Sequence, residues 1–224
     1  LHDWYVTCSD LFGNTRESST HRTLRTDRTA PVAAVPTAPA NASKTNIPRP
    51  TFTWNAATDA TSGVAGYEVW MDGARVSGTD LLPSSTRDWT PSADLTEANH
   101  TWYVVAKDNA GNVTNSTSFT VLIDRTPPMA PVISYPAAYP PTFSGAWKVC
   151  WSGAADPAAG ICRYELELDG AVVNANAVQD GNGCVEYDIV DDGQHTTSVV
   201  TYDCAGNSVE TGVRTFMLET SPPR

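Results

Sequence analysis

Most of the chain consists of short runs in which apolar and polar residues alternate, separated by clusters of Gly, Pro, Asn and Asp. Thr, Val, Trp and Tyr dominate these runs, and such residues at a period of two are typical of β-strands. No stretch shows a sustained helical period with capping residues. The pattern therefore predicts an all-β protein of many short strands.

Two sets of five strands can be placed. We predict the first set at 51–56, 66–72, 87–91, 100–108 and 116–123, and the second at 148–153, 163–169, 184–189, 195–203 and 212–218. In the strand at 66–72, Tyr67, Val69 and Met71 share one face, and the strand at 163–169 repeats this order. A sheet that buries one face requires alternation of this kind.

One motif occurs three times. The segment His100–Asn112 recurs at His195–Asn207 and, in a more divergent form, at His2–Asn14. Each copy ends in Asp, two variable residues, Gly and Asn, and a Pro-containing linker follows some residues later. The linkers that begin at Asp27 and Asp124 are 97 residues apart. A period of this length indicates whole domains in tandem.

This repeat frame divides the chain into four segments. Residues 1–27 supply the last two strands of an incomplete repeat, 28–124 and 125–221 are full repeats, and 222–224 begin the next linker. A segment of about 30 residues is below the size that folds unaided. We therefore expect 1–27 to pair with a preceding piece of chain or with another chain, and we expect short Pro-rich linkers to join the repeats.

The first full repeat carries the residues of a known family. Trp54, Asp59, the Tyr67-Glu-Val run, Asp72-Gly73 and the segment His100–Asn112 together look like bacterial Ig-like and fibronectin type III-like surface repeats. The resemblance covers the whole chain. It implies tandem two-sheet sandwiches in a large secreted or cell-surface protein, and seven short strands in about 97 residues suit an immunoglobulin-like sandwich.

Composition excludes some classes of function. The net charge is −11, and only Lys44, Lys107 and Lys148 are lysines. So acidic a chain lacks the basic footprint on which nucleic-acid binding depends. No run of 18 apolar residues occurs, so no membrane span is predicted. An acidic balance suits an extracellular protein that meets divalent cations.

Catalytic motifs are missing from the sequence. It contains no Gly-x-Ser-x-Gly elbow, no His-Glu-x-x-His pair and no P-loop. His2, His100 and His195 occupy one position of three different repeats, so they cannot form one catalytic pair. The resemblance implies instead that His100 and His195 replace a corner tyrosine, whose side chain hydrogen-bonds the backbone a few residues upstream. We expect no enzyme activity and no required cofactor.

Four of the five cysteines lie in the second full repeat. An even number within one domain of a secreted protein is typical of disulfides. In the sandwich that the resemblance implies, the strands carrying Cys162 and Cys204 are antiparallel neighbours, which predicts a bridge between them. Cys150 and Cys184 are then paired by elimination. Any partner of Cys8 is expected upstream.

Recurring acidic residues form the most informative candidate site. In the expected fold, two loops and the incoming linker meet at one end of each domain. They would gather two sets of residues: Asp27, Asp59, Asp108 and Asn112, and then Asp124, Asp156, Asp203 and Asn207. Carboxylate and amide oxygens are ligands that Ca²⁺ takes, and the resemblance implies junctions made rigid by calcium. The alternative is that these residues only form turns while Pro stiffens the linkers.

Trp70 is predicted to point outward from its strand, where the second repeat has Glu167. An outward Trp can stack on a sugar or on a protein partner. The favoured interpretation is that it packs under a neighbouring loop or linker.

The function expected from these features is that of a non-catalytic extracellular structural or adhesive region, as in a stalk, an adhesin or a surface fibre. One alternative is a set of accessory modules in a large secreted enzyme. Another is a filament subunit in which 1–27 completes a neighbouring subunit by strand addition. The expected partners are neighbouring repeats or subunits and surface glycans or proteins.

Overall fold

The computed structural model describes residues 2–135, 142–143, 147–174, 183–187 and 191–219. Every regular element within these residues is a β-strand, so the predicted all-β class is confirmed. None of the described residues belongs to a helix that is long and apolar enough to cross a membrane. The predicted linker at 222–224 and the last residues of the strand predicted at 184–189 lie outside the described residues.

The N-terminal segment forms four strands of three residues each: β1 (His2–Trp4), β2 (Thr7–Ser9), β3 (Thr15–Glu17) and β4 (Arg22–Leu24). β1 pairs with β4 and β2 pairs with β3, both antiparallel. Each of the two strands predicted within 1–27 is therefore interrupted once. All the residues of these four strands are exposed.

The first full repeat contributes the next ten strands: β5 (Val35–Ala38), β6 (Ser43–Thr45), β7 (Phe52–Asn55), β8 (Val64–Met71), β9 (Ala74–Arg75), β10 (Leu82–Pro83), β11 (Asp88–Trp89), β12 (Asn99–Asp108), β13 (Val113–Asn115) and β14 (Phe119–Ile123). One sheet has the order β11-β7-β5. The other has the order β10-β8-β12-β14-β6, with β9 on β8 and β13 on β12. β6 joins β14 in parallel.

Alternation along β7 and β8 fills the core between these sheets. Tyr67 and Val69 point inward and are fully buried, as the pattern predicts. From the opposite sheet, Phe52 meets Trp102 edge to face with ring centroids 4.9 Å apart, and Trp54 meets Tyr67 at 5.6 Å. Aromatic pairs of this geometry add about 0.5–1.5 kcal/mol beyond the area that they bury.

The described residues of the second full repeat contribute nine strands: β15 (Val132–Tyr135), β16 (Thr142–Phe143), β17 (Trp147–Ser152), β18 (Ile161–Leu168), β19 (Ala171–Asn174), β20 (Gly183–Tyr187), β21 (Gly193–Asp203), β22 (Ser208–Glu210) and β23 (Arg214–Leu218). The sheets have the orders β15-β17-β20 and β16-β23-β21-β18-β19, with β22 on β21. Trp151 packs on Tyr164 in a core that also holds Val199 and Phe216.

Asp-Gly dipeptides close the same hairpin in both repeats. Asp72 and Gly73 have φ values of 50° and 81°, and Asp169 and Gly170 have 50° and 77°. Positive φ at both central positions defines the turn whose twist matches antiparallel strands, and it favours Asp-Gly. Each Asp also accepts a hydrogen bond from the backbone of the long neighbouring strand, at 2.8 Å from Thr101 and 2.7 Å from Thr196.

The chain forms two compact units. One contains residues up to Ala38, 51–90 and 101–119, and the other contains 39–50, 91–100 and the residues from Thr120 onward. Both predicted acidic sets can be assigned to single units, the set with Asp27 to the first and the set with Asp124 to the second. The repeat boundaries read from the sequence remain a prediction.

Candidate metal centre

The Asp-x-x-Gly-Asn motif forms one kind of turn in all three copies. In the second repeat, Asp203 Oδ1 accepts the backbone N–H groups of Ala205, Gly206 and Asn207 at 2.7–2.9 Å. Gly206 has a φ of 100°, a left-handed conformation that favours glycine. The motif thus holds one oxygen of Asp203 in the turn.

Asp108 and Asp10 take the same role in the other two copies. Asp108 Oδ1 accepts from the N–H groups of Ala110 and Asn112 at 2.9 and 2.8 Å. Asp10 Oδ1 accepts from the N–H groups of Phe12 and Asn14, both at 2.9 Å. The turn therefore follows from the local sequence and not from the rest of the domain.

A second loop supplies the next carboxylate. Asp156 Oδ1 accepts from the N–H groups of Ala158, Ala159 and Gly160, and Asp59 Oδ1 accepts from those of Thr61, Ser62 and Gly63. Asp commonly caps its own loop in this way. Here too only Oδ1 is used for the turn.

The linkers supply the third carboxylate. Asp27 Oδ1 accepts from Thr29 N–H at 2.9 Å, and Asp124 Oδ1 accepts from Thr126 N–H at 3.1 Å. The second oxygen, Oδ2, is buried in both Asp27 and Asp124 and has no hydrogen-bond partner among the residues that the structure describes. Asp124 as a whole is only 1% exposed. Leaving a buried carboxylate oxygen without a partner is costly, so an oxygen in this position is suited to accept from a water molecule or to bind a cation.

These carboxylates converge as two separate triads. Asp27, Asp59 and Asp108 offer oxygens that all lie within 4.8 Å of one another, and so do Asp124, Asp156 and Asp203. Each triad lies within one compact unit. The structure thus brings together the six predicted carboxylates in the predicted groups of three.

In the second triad, the environment of Asp124 destabilises the charged form of its carboxyl group. Burial raises the pKa of Asp124, and the neighbouring charges of Asp156 and Asp203 raise it further. A raised pKa for a carboxyl means that its charged form is destabilised in the folded protein. A bound cation would reverse this effect, because it favours the charged form of all three groups.

Asn112 and Asn207 connect the linkers to the Asp turns through their amide nitrogens. Asn207 Nδ2 donates to Asp203 Oδ2 at 2.7 Å and to the carbonyl of Asp124 at 2.9 Å. Asn112 Nδ2 likewise donates to Asp108 Oδ2 at 2.7 Å and lies 3.2 Å from the carbonyl of Thr29. Each amide nitrogen faces acceptors only, so the Asn residues fasten the linker to the turn. Their amide nitrogens donate in this geometry, and the role of their amide oxygens as cation ligands stays a prediction.

Residues 44–46 connect all three parts of the second triad. Thr45 carbonyl accepts from Asp124 N–H at 3.0 Å, while Lys44 Nζ donates to Ala159 carbonyl at 2.6 Å. Asn46 N–H donates to Ala205 carbonyl at 3.0 Å. The linker, the Asp156 loop and the Asp203 turn are therefore held together by protein hydrogen bonds, and the triad is assembled in advance of any ligand.

The linker residue beside Asp124 is also anchored. Arg125 lies 3.4 Å from Glu97 and 3.6 Å from Asp94, and Thr126 Oγ1 donates to Glu97 Oε2 at 2.7 Å. The hydrogen bond from Thr126 is the main cause that lowers the pKa of Glu97. A groove of about 280 Å³ runs beside Asp124 and Asp156 between these anchoring residues.

The geometry fits a calcium ion. Ca²⁺ binds carboxylate oxygens at about 2.3–2.6 Å, so two ligands on opposite sides of the ion are roughly 5 Å apart. Oxygens within 4.8 Å of one another fall inside that span. The all-oxygen donor set suits a hard cation and not zinc, which prefers nitrogen and sulfur.

Both predicted disulfides form in the structure. Cys162 is bonded to Cys204 and Cys150 to Cys184. The strand register places Cys184 directly opposite Cys150, at the position where Asp88 lies opposite Thr53 in the first repeat. Cys8 is a free and exposed thiol.

The corner histidines behave as the resemblance implied. His100 Nε2 lies 3.0 Å from the carbonyl of Thr96, and His195 Nε2 lies 3.0 Å from that of Asp191. Each bond returns to the backbone four residues upstream. His195 Nδ1 also contacts Asp169 Oδ2 at 2.8 Å. The histidines are thus structural, each within its own repeat.

Trp70 lies on the outer face of its sheet, half-buried. It is directly opposite Tyr103 in the strand register, and the two rings lie nearly parallel with centroids 6.1 Å apart. Sequence reasoning identified Trp70 but missed Tyr103. The alternation along 100–108 could have revealed it, because that strand turns every second residue outward.

Comparison with known proteins defines the class. Residues 37–125 match the model of a family described as bacterial Ig-like domain. The fibronectin(III)-like modules of Clostridium thermocellum CbhA superpose with a TM-score of 0.56 at 15% identity, covering 84% of this chain and 93% of theirs. At that identity the likeness shows the fold alone. Residues 37–125 thus match a bacterial Ig-like domain, and the chain has an Ig-like and fibronectin III-like fold.

Curated relatives include two enzymes of Cellulomonas fimi. Endoglucanase B is 38% identical over 161 residues, which are 68% of this chain and 15% of that protein. Exoglucanase B is 29% identical over 130 residues, 56% of this chain and 12% of that protein. The chain therefore spans only a small part of each relative. A sandwich of this class is typically non-catalytic, since function is added to such folds at particular sites.

Proposed function

We propose that this chain is a non-catalytic accessory region of a large secreted glucan-degrading enzyme. The observation that carries the proposal is the match to a small part of two glucanases. Two disulfides also suit an oxidising, extracellular compartment. Of the functions expected from the sequence, the accessory-module alternative has this support. The adhesive or stalk role and the filament role remain predictions.

In this proposal the repeats act as spacers whose linkers are fixed by calcium. Asp124, Asp156 and Asp203 would hold the ion in the second unit, and Asp27, Asp59 and Asp108 would hold another in the first. The buried Oδ2 of Asp124 supports the assignment, because no described residue donates a hydrogen bond to it. The ion would neutralise the three carboxylates, and it would reinforce the hydrogen bonds that already hold the linker and the two loops together.

The experiment is calorimetry of the chain with calcium and with chelator, for the parent and for Asp124→Asn. Asn keeps the shape of this 1%-exposed side chain and removes its charge. Calcium at 100 times its dissociation constant should stabilise the parent by about 2.7 kcal/mol. The variant should lose most of this gain. Its melting temperature in chelator should equal or exceed that of the parent, because the charge repulsion is gone.

A matched control is Asp94→Asn, which removes an exposed carboxylate near the same linker but outside the triad. It should keep the full calcium response. Equal melts of the parent with calcium and with chelator would refute the calcium site. A calcium response that Asp94→Asn loses as fully as Asp124→Asn would show diffuse charge screening instead.

A further inference from the structure

An aromatic pair, Trp70 and Tyr103, stands on the outer face of the sheet formed by β8 and β12. Strands β7, β8 and β12 carry other large aromatic residues, and these point inward and are almost completely buried: Phe52, Trp54, Tyr67 and Trp102. Trp70 and Tyr103 are half-buried instead. The core therefore accounts for the first group and leaves this pair unexplained.

The second repeat shows that the fold does not need aromatic residues at this place. Its residues at the same positions are Glu167 and Ser198, which are again directly opposite each other. Ser198 Oγ donates to Glu167 Oε2 at 3.1 Å, so a polar pair closes the same rung of the sheet. Cross-strand pairs of either kind stabilise a sheet. What the aromatic pair adds is a stacked, partly exposed aromatic surface on the outer face of the sheet.

Polar groups fix that surface in place. Trp70 Nε1 donates to Glu68 Oε2 at 2.9 Å, and Arg75 lies 3.0 Å from the other oxygen of Glu68. Arg75 is also directly opposite Trp70 on the next strand. The Trp70 ring is thus held by a hydrogen bond at its polar edge, and a carboxylate and a guanidinium flank it. A site that is fixed in advance loses little entropy when it binds.

The chemistry that matches this arrangement is that of a pyranose ring. A sugar presents a face of C–H groups, which packs on aromatic rings, and a rim of hydroxyls, which hydrogen-bond to carboxylate and guanidinium groups. We propose that Trp70 and Tyr103, with Glu68 and Arg75, form a binding site for one sugar unit of a polysaccharide. This inference rests on the proposed function, since it names the ligand class that such an accessory region would hold.

The test is affinity electrophoresis of the whole chain in gels containing hydroxyethylcellulose, mixed-linkage β-glucan or xylan. The parent should be retarded by at least one of these, and Trp70→Ala should weaken the apparent affinity at least tenfold. Tyr103→Ser, which installs the residue of the second repeat, should also weaken it. Trp70→Phe should restore part of the binding. Trp4→Ala, which removes an exposed tryptophan elsewhere, should bind like the parent.

Three results would overturn the proposal. The parent could migrate unretarded in all three gels, or Trp70→Ala and Trp4→Ala could lose affinity equally. Alternatively, sedimentation could show a concentration-dependent self-association that Trp70→Ala abolishes while retardation is unchanged, which would make the pair a protein contact. A calcium response that persists without sugar binding would defeat this inference and leave the calcium site standing. A melt of Trp70→Ala within a few degrees of the parent excludes unfolding as the cause.

Discussion

Removal of the disulfides should lower the free energy of unfolding of the second repeat. The size of this loss depends on the number of residues between the bonded cysteines. Cys162 and Cys204 are 42 residues apart, and Cys150 and Cys184 are 34 apart. For loops of this length the chain-entropy model gives about 4 kcal/mol for each bridge at 25 °C. Measured effects are commonly 2–4 kcal/mol, because the unfolded chain keeps some structure.

The two loops overlap between residues 162 and 184, so their contributions should not add fully. Once one bridge restrains the unfolded chain, the second closes a loop that is already shortened. We therefore expect replacement of both bridges to cost less than the sum of the single replacements. Non-additivity of this kind is usual when two changes act on the same part of a structure.

The assay is calorimetry of Cys162→Ala/Cys204→Ala, Cys150→Ala/Cys184→Ala and the fourfold variant. Cys162 and Cys184 are exposed, and Cys150 and Cys204 are only partly buried, so Ala should leave little cavity. A loss of about 2 kcal/mol should lower the melting temperature of the second repeat by roughly 8–16 °C. The transition of the first repeat should not move.

Reductant provides the control. It should lower the melting temperature of the parent and leave the fourfold variant unchanged. Single-bridge variants that melt within about 2 °C of the parent would refute the reasoning, since a loop of this size cannot then be restraining the unfolded chain. Non-reduced peptide mapping that recovers four free thiols from the native protein would refute it more directly.

Two further changes test the packing and the charges of the sandwiches. Burial lowers the pKa of His195, but hydrogen bonds to Asp169 and Asp191 outweigh it and raise the pKa above 6.5, while that of Asp169 falls below 3.8. The pair should therefore stabilise the fold most between about pH 4 and 6.5. This stabilisation should be lost as the pH rises through the pKa of His195 or falls through the pKa of Asp169. If His195→Gln lowers the melting temperature equally at pH 5 and at pH 9, this prediction is wrong. Gly66→Ala places a Cβ against the backbone carbonyl of Leu82, so it should destabilise the first repeat by about 1–3 kcal/mol. Gly212→Ala meets open space and should melt like the parent.

The fold could be predicted from the sequence because one signal repeats in it. Alternation along β8 and β18 indicated which face of each strand is buried. Because the repeats are 97 residues apart, the same pattern at equivalent positions supported the assignment in both. The structure differs mainly at the short strands. β6 at Ser43–Thr45 joins β14 in parallel, and a three-residue segment without apolar alternation carries no signal that predicts it. It pairs there because the rest of the fold leaves β14 at the edge of the sheet, with backbone groups free to pair.

At the candidate site, the convergence of the carboxylates could be predicted from the sequence, but the hydrogen bonds of the amides could not. Each Asp lies at a turn that the sequence shows directly, so convergence followed from the topology alone. Whether Asn207 offers its oxygen or its nitrogen depends on which atoms surround it. Here Asp203 and the linker carbonyl of Asp124 are both acceptors, and that fact is decided by the path of the linker. The aromatic partner of Trp70 likewise follows from strand register.

The choice between turn-forming and metal-binding carboxylates also changes once single oxygens are considered. In Asp124, Asp156 and Asp203 it is Oδ1 that accepts the backbone hydrogen bonds of the turn. The turn therefore occupies one oxygen and fixes the direction of the other. At Asp124 that second oxygen is buried and unpartnered, while Asp203 places it against Asn207. In the proposed calcium site, turn formation and cation binding would therefore use different oxygens of Asp124, because the turn occupies Oδ1 and leaves Oδ2.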